Sequence, residues 1–358
     1  MTTPANSASA PPDAAPPRRA WHHAARDAAP ATFFFGGFIW DTIALGRGFK
    51  AWDLWLLLGY LVVSTIVIAL LGRGIRPRQE RWFNFALQFC FGGTFASLTV
   101  LYFTSAASWP SLLFIVLVAV VLVANEYLEH RYGEMTIALT MYALSVVMYL
   151  NFAFPVVLRS VRPVWFYVST AAGLGLTYTL RRFATIERVS MKPAAVAAGA
   201  LAVMFLLNWV PPVPLVKREM AICRDLVRTL PLATAKVEAP PPWWFWKRSE
   251  HTVHWRPGER IWCYSSVFAP AGISVRIAHR WYYRDPAQGW VTRARIPVTI
   301  TGGREDGYRV HSYADHLQPG RWSVTVETES GQVIAVSNFT VVDAAGEPPP
   351  ALKPVSYR

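Results

Sequence analysis

The chain has 358 residues, of which 53% are hydrophobic and 16% charged, with a mean hydropathy of +0.26. A soluble domain carries roughly 25% charged residues, so the composition argues against one and for an integral membrane protein. The formal charge of +13 would suggest nucleic acid in a soluble chain, but these basic residues cluster between apolar segments, where they set topology; no nucleic-acid partner is expected.

Residues 1–30 are Pro/Ala-rich and carry Arg18, Arg19 and Arg26. They lack the apolar run and cleavage site of a secretory signal and are expected to form a disordered cytoplasmic tail. Seven apolar segments follow, at about 31–46, 52–71, 82–103, 110–128, 136–154, 162–180 and 194–210. Most approach the roughly 20 residues needed to cross a bilayer core, and together they define a transmembrane helical domain over 31–210. The first is short and contains Asp41, so loop charges must decide whether it spans. If it does, one side receives the tail, Arg73, Arg76, Arg78 and Arg81, Arg131, and Arg181, Arg182, Arg188 and Lys192. The short loops of the other side receive Arg47, Lys50, Arg159 and Arg162. This asymmetry predicts seven spans, the N-terminus inside and the C-terminus outside.

Ionisable and amide groups inside spans are candidate functional residues, because burying them in hydrocarbon is costly. They are Asp41, Asn84, Gln88, Glu126 and His130. Asp41 also suits an interfacial carboxylate paired with Arg47 or Lys50. Asn84 and Gln88 share a helix face and suit helix–helix hydrogen bonding. Glu126 and His130 resemble half a metal site, but the second histidine of zinc-binding helices is missing and a solvated helix end is the leading expectation. Cys90, Cys223 and Cys263 have no metal-ligand spacing, so no metal and no cofactor are expected; a Cys223–Cys263 disulfide is an open alternative to small apolar roles.

Beyond the spans, "PPVP" at 211–214 stops the last helix. Leu215, Ile222, Leu226 and Leu230 then recur at near-helical spacing opposite Lys217, Arg218, Arg224 and Arg228, which predicts an amphipathic helix. The stretch "PPPWWFWKR" closes this 211–250 linker. Trp243, Trp244, Phe245 and Trp246 with Lys247 and Arg248 are read first as an anchor at the membrane interface or between domains; a buried first strand and a ligand platform are the alternatives.

From about residue 251 the period becomes two. "ERIWCYSSVF", "ISVRIAHRWYY", "WVTRARIPVTI", "DGYRVHSYA", "GRWSVTVETE" and "GQVIAVSNFTVV" are separated by "RPGE", "DPAQG", "TGGRED", "QPG" and "ESG". Short alternating strands between turn signals predict an all-β, Ig-like antiparallel sandwich over 251–342, followed by a disordered tail at 343–358. The region carries His279 and Trp281, then Tyr308, Arg309 and Ser312, then Gly320, Trp322, Val324, Val326, Gly331, Phe339 and Val341 in order. In this it resembles the bacterial domain of unknown function 2914, and the multi-span region resembles domain of unknown function 5924. The resemblance implies a fold and a location but no activity.

His279 shares a face with Ile273, Val275 and Ile277 and is expected in the core, bonded to a backbone carbonyl. Trp262, Tyr264, Arg276, Arg280, Tyr282, Arg309, His311 and Tyr313 form the expected aromatic and arginine-rich exterior, suited to glycan, lipid or protein. No nucleophile elbow or carboxylate pair points to catalysis. The leading expectation is a bacterial inner-membrane protein with a periplasmic binding module for an envelope component, a glycan, a lipid head group or a membrane-protein partner. A membrane-embedded enzyme or transporter using the intramembrane polar residues is the runner-up.

Overall fold

The computed structural model describes residues 51–74, 77–128, 134–186, 188–229, 232–239 and 247–357. The expected tail at 1–30, the first apolar segment with Asp41, His130, and Trp243 to Trp246 lie outside the described residues. Among the described residues six helices come first: α1 (Ala51–Gly72), α2 (Pro77–Ser105), α3 (Trp109–Tyr127), α4 (Met135–Val157), α5 (Val164–Phe183) and α6 (Lys192–Leu206). They match six of the seven expected segments to within a few residues at each end. Among the described residues four stretches, Trp52–Gly72, Trp82–Ser105, Trp109–Tyr127 and Met135–Val157, are long and apolar enough to cross a membrane; α5 is not among them, and α6 is shorter.

The central helix is α4, which packs on α1, α2, α5 and α6 and is mostly buried. Its approach to α5 depends on Gly173, where a Cβ would lie 2.6 Å from Val147 Cγ2. Small residues let helices close without a hydrophobic driving force between them. The Thr65 and Tyr142 hydroxyls, 2.8 Å apart, join α1 to α4. On the outside α1 and α3 expose Trp55, Val62, Ile66, Val116, Leu117 and Val120, apolar surface that lipid would cover. A left-handed residue, Arg159 (φ 51°), ends α4, and the Ser160 amide returns to the Pro155 carbonyl at 3.0 Å. This is the αL termination usual for glycine, adopted here by an arginine.

The sheet-rich region begins earlier and ends later than the sequence suggests. Its strands are β1 (Val216–Cys223), β2 (Asp225–Thr229), β3 (Leu232–Glu238), β4 (Thr252–Trp255), β5 (Ile261–Phe268), β6 (Ser274–Asp285), β7 (Gly289–Thr301), β8 (Tyr308–Ala314), β9 (Gly320–Thr328), β10 (Val333–Asp343) and β11 (Leu352–Tyr357). They form three sheets, ordered β1-β5-β8, β4-β10-β9-β6-β7 and β11-β3-β2. The first two share a core containing Ile222, Cys263, Trp281, Trp322, Val324 and Phe339. The third covers the opposite face of β1 and β5, where Ala221, Cys223 and Tyr264 meet Ala235, Val237 and Tyr357.

That third layer explains two corrections. The expected amphipathic helix at 215–230 is strands β1 and β2: Met220 and Ile222 face one core and Ala221 and Cys223 the other, so both faces are apolar and the two-residue alternation is hidden. The expected disordered tail contains β11, antiparallel to β3 with Tyr357 only 1% exposed. Pro354 is tolerated because β11 is an edge strand. The strands expected between Glu259 and Val342 all form, joined at turns where Gly258, Gly289, Gly303, Gly307, Gly320 and Gly331 take positive φ. Cys223 and Cys263 are buried free thiols on opposite faces of the β1–β5 pair, so the disulfide alternative is overturned by strand alternation.

Candidate functional site

The residues expected to form one polar exterior divide between two surfaces. Trp262, Tyr264, Arg309, His311 and Tyr313 share one face of β5 and β8, in the register Trp262 to Tyr313, Tyr264 to His311 and Ser266 to Arg309. The third sheet lies over part of it, so Tyr264 is 2% exposed with its ring 5.1 Å from Tyr357, a core residue and not a contact surface. The Trp262 and Tyr313 rings meet at a tilt of 52° with centroids 5.0 Å apart, and Arg260 lies over Tyr313. Arg276, Arg280 and Tyr282 instead line the outer face of the five-stranded sheet. There Arg280 and Arg295 each approach Glu327 at 3.5 Å, and Arg280 lies over Tyr282.

Lys247, expected at lipid phosphates, is 9% exposed; it pairs with Glu250 at 2.7 Å and donates to the Glu238 carbonyl. Arg248 lies over Tyr357 and 3.4 Å from Glu219. Both hold the third sheet in place. Beside them Arg224 bridges Glu238 (3.1 Å) and Glu259 (2.7 Å), and His254 Nδ1 meets Glu238 at 2.8 Å. Burial pushes the Glu250 carboxyl up. Each of these charges has an opposite partner, as buried ions require, so the cluster clamps β3 to β4. Among the described residues, no group of three His, Cys, Asp or Glu side chains is placed to hold a metal ion.

The motif residues His279, Trp281 and Ser312 form a closed network in the core. His279 Nε2 lies 2.7 Å from the Ser265 hydroxyl and Nδ1 lies 2.8 Å from that of Ser312, which also accepts from Trp281 Nε1 at 3.0 Å. The partners are thus two serine hydroxyls, not a backbone carbonyl. At 1% exposure the imidazole is held neutral, its pKa lowered to about 4 by burial and secondarily by His311. No solvent-borne substrate reaches it.

In the helices, Gln88 Nε2 meets Glu126 Oε2 at 3.4 Å and Asn125 Nδ2 donates to the Gln88 carbonyl at 3.0 Å. These contacts tie α2 to α3, while the buried Asn84 Oδ1 has no hydrogen-bond partner among the described residues.

The arrangement with the most open chemistry lies where helices meet sheet. A groove of about 640 Å³ is lined by the α4–α5 loop, with Arg159, Ser160 and Arg162, and by the sheet, with Arg276, Thr299 and Glu329. Arg276 Nε is 3.5 Å from Glu329. Among the described residues, no carboxylate lies within ion-pair distance of Arg159 or Arg162. The Arg159 stem rests on Gly272 (φ 81°), where a Cβ would lie 2.9 Å from Arg159 Cδ. A left-handed arginine seated on a left-handed glycine from the other half of the chain makes this a shaped contact. Guanidinium groups around a hydroxyl-rich groove are suited to phosphate or carboxylate. Of the expected site residues only Arg276 belongs to it. In the sequence Arg159 and Arg162 count only as loop charges, yet they stand out as basic residues on the side expected to be poor in them.

Residues 274–341 match the family described as a protein of unknown function (DUF2914). The match spans β6 to most of β10 and supports the resemblance drawn from the sequence for this part of the chain. No curated protein matches the chain. Among solved structures, a β-glucosidase from Listeria innocua in complex with gluconolactone aligns at 14% identity over 30% of this chain and 16% of that one, with a TM-score of 0.21. The alkylpurine DNA glycosylase AlkC of Pseudomonas fluorescens aligns at 12% identity over 80% and 97%, with a TM-score of 0.20. The chain thus spans about a sixth of the β-glucosidase, and neither likeness carries an argument about fold or function.

Proposed function

We propose that the protein is a membrane-anchored binding protein whose groove between the α4–α5 loop and the sheet region receives an anionic group of an envelope component. In this reading the helical region lies in a bacterial inner membrane and the segment at 31–46 completes seven spans. The N-terminus is cytoplasmic, and an Ig-like sandwich stands in the periplasm. The excess of arginine in the tail and in the loops after the second and sixth segments supports that orientation. The helical region's resemblance to domain of unknown function 5924 fits the same arrangement.

One observation carries the proposal: Arg159 and Arg162 face Arg276 across a groove that holds a single carboxylate, Glu329, already beside Arg276. The groove borders the end of α4, whose Met135–Val157 stretch is long enough to span. A lipid head group is therefore favoured over a glycan or a protein partner. The test is binding of fluorescent phosphatidylglycerol, against phosphatidylcholine, to the full chain in detergent. Selective binding of the anionic lipid, lost in Arg159→Gln/Arg162→Gln, is the expected result; equal binding of both lipids, or no effect of the substitutions, overturns it.

Asn84 Oδ1, buried and without a hydrogen-bond partner among the described residues, favours a second reading, an embedded enzyme or transporter in which the sheet region is an accessory. Loss of a deletion-complementing phenotype in Asn84→Ala, with full complementation by Arg159→Gln/Arg162→Gln, would select it.

A further inference from the structure

A second, smaller cavity shares Val161, Arg162 and Pro163 with the groove. Its free volume of about 30 Å³ holds about two waters or one hydroxymethyl group. Three of the residues that line it each carry a buried polar atom: Tyr102 Oη from α2, Asn151 Oδ1 from α4 and Trp165 Nε1 from α5. None has a hydrogen-bond partner among the described residues. Tyr102 is 0% and Asn151 6% exposed. The Phe166 and Phe205 rings, stacked at 3.9 Å, form an apolar wall that offers no substitute partner.

Buried polar groups in folded proteins are paired with protein, water or ligand, so three orphans around one small space indicate an occupant. Their chemistry is complementary: the indole N–H donates, the amide oxygen accepts and the phenol does either. A hydroxyl, which both donates and accepts, satisfies two of them at once. A phosphate would not fit the volume and would face the Asn151 oxygen.

We propose that this cavity is the specificity pocket of the arginine groove, and that the ligand is a phosphate ester of a polyol. Its phosphate rests on Arg159 and Arg162 while a neighbouring hydroxyl enters the space lined by Tyr102, Asn151 and Trp165. The inference rests on the groove reading above. Arg162, which lines both spaces, sits at the junction between the charged and the neutral part of the ligand.

The test compares phosphatidylglycerol with acyl-matched phosphatidylpropanol, lipids of equal charge that differ in the head-group hydroxyls, on the full chain in detergent by native mass spectrometry. Wild type is expected to prefer phosphatidylglycerol by roughly fivefold or more, the ratio for about one net hydrogen bond. Tyr102→Phe/Asn151→Leu is expected to bring that ratio close to unity while phosphatidylpropanol binding is unchanged, which also reports that the variant is folded. Tyr102→Phe alone removes one oxygen and is expected to fall between. Arg162→Gln is expected to weaken both lipids alike. Free glycerol 1-phosphate tells the source: displacement at concentrations comparable to the lipid assigns the pocket to a soluble ester, and failure to displace assigns it to the lipid. Equal binding of the two lipids by wild type, with both still weakened by Arg162→Gln, overturns the hydroxyl pocket and leaves the anion groove standing, with water as the occupant. Binding of neither lipid above phosphatidylcholine overturns both.

Discussion

Acidification should loosen the sheet core through His279. Its imidazole is held between Ser265 and Ser312, and its pKa is lowered from 6.5 to about 4. In the unfolded chain it would titrate near the ordinary value. Between those limits the unfolded state binds a proton that the native core refuses. Stability present at neutral pH is therefore lost as pH falls from about 6.5 to about 4. At about 1.4 kcal/mol per unit the loss amounts to roughly 3 kcal/mol. Glu250 works in the opposite direction: burial raises its pKa, which favours the neutral acid in the fold, so acidification relieves a penalty there. His279→Gln, which cannot titrate but can still bond a serine, isolates the histidine. Hydrogen exchange of the β6 and β8 amides, corrected for intrinsic rate, measures the opening free energy. The wild type should lose roughly 3 kcal/mol more than His279→Gln on going from neutral pH to about 4. Identical pH dependence in the two proteins, or an imidazole titrating near 6.5 in the folded chain, would show that the core does not hold His279 neutral.

The third sheet and the groove give further tests. Tyr357→Ala should cost about 3–5 kcal/mol, as for other buried aromatic truncations, and should expose the linker before β4 to protease sooner than the five-stranded sheet. Gly272→Ala places a Cβ against Arg159 and forces a side chain into positive φ; a stability loss of roughly 1–2 kcal/mol is expected, together with weaker phosphatidylglycerol binding, both read on one preparation. Cys223 and Cys263 should resist alkylation until the protein unfolds, since burial encloses both and raises both thiol pKa values, and reductant should leave the melting temperature unchanged.

The strands and helices legible in the sequence are those whose two faces meet different surroundings. Arg276, Ile277, Arg280 and Trp281 alternate because β6 has a core on one side and solvent on the other, and the glycines between strands fall where the chain needs positive φ. Strand β1 reads as a helix in the sequence because the third sheet makes both its faces apolar, and that sheet is completed by β11, which lies far from β1 in the chain. Tyr264 was placed on the surface for the same reason. His279 is legible as a core residue, while its serine partners lie on β5 and β8 and become visible only in register. The groove was the least legible feature. Arg159 and Gly272 stand far apart in the chain, and only the tertiary fold shows that one rests on the other.

The groove's occupancy is settled most directly by a cryo-electron microscopy map of the full chain in phosphatidylglycerol nanodiscs. Density for a phosphate is expected within roughly 4 Å of the Arg159 and Arg162 guanidinium groups, and is expected to be lost in Arg159→Gln/Arg162→Gln. A groove empty in the wild type, with lipid density confined to the outer faces of α1 and α3, would contradict this expectation.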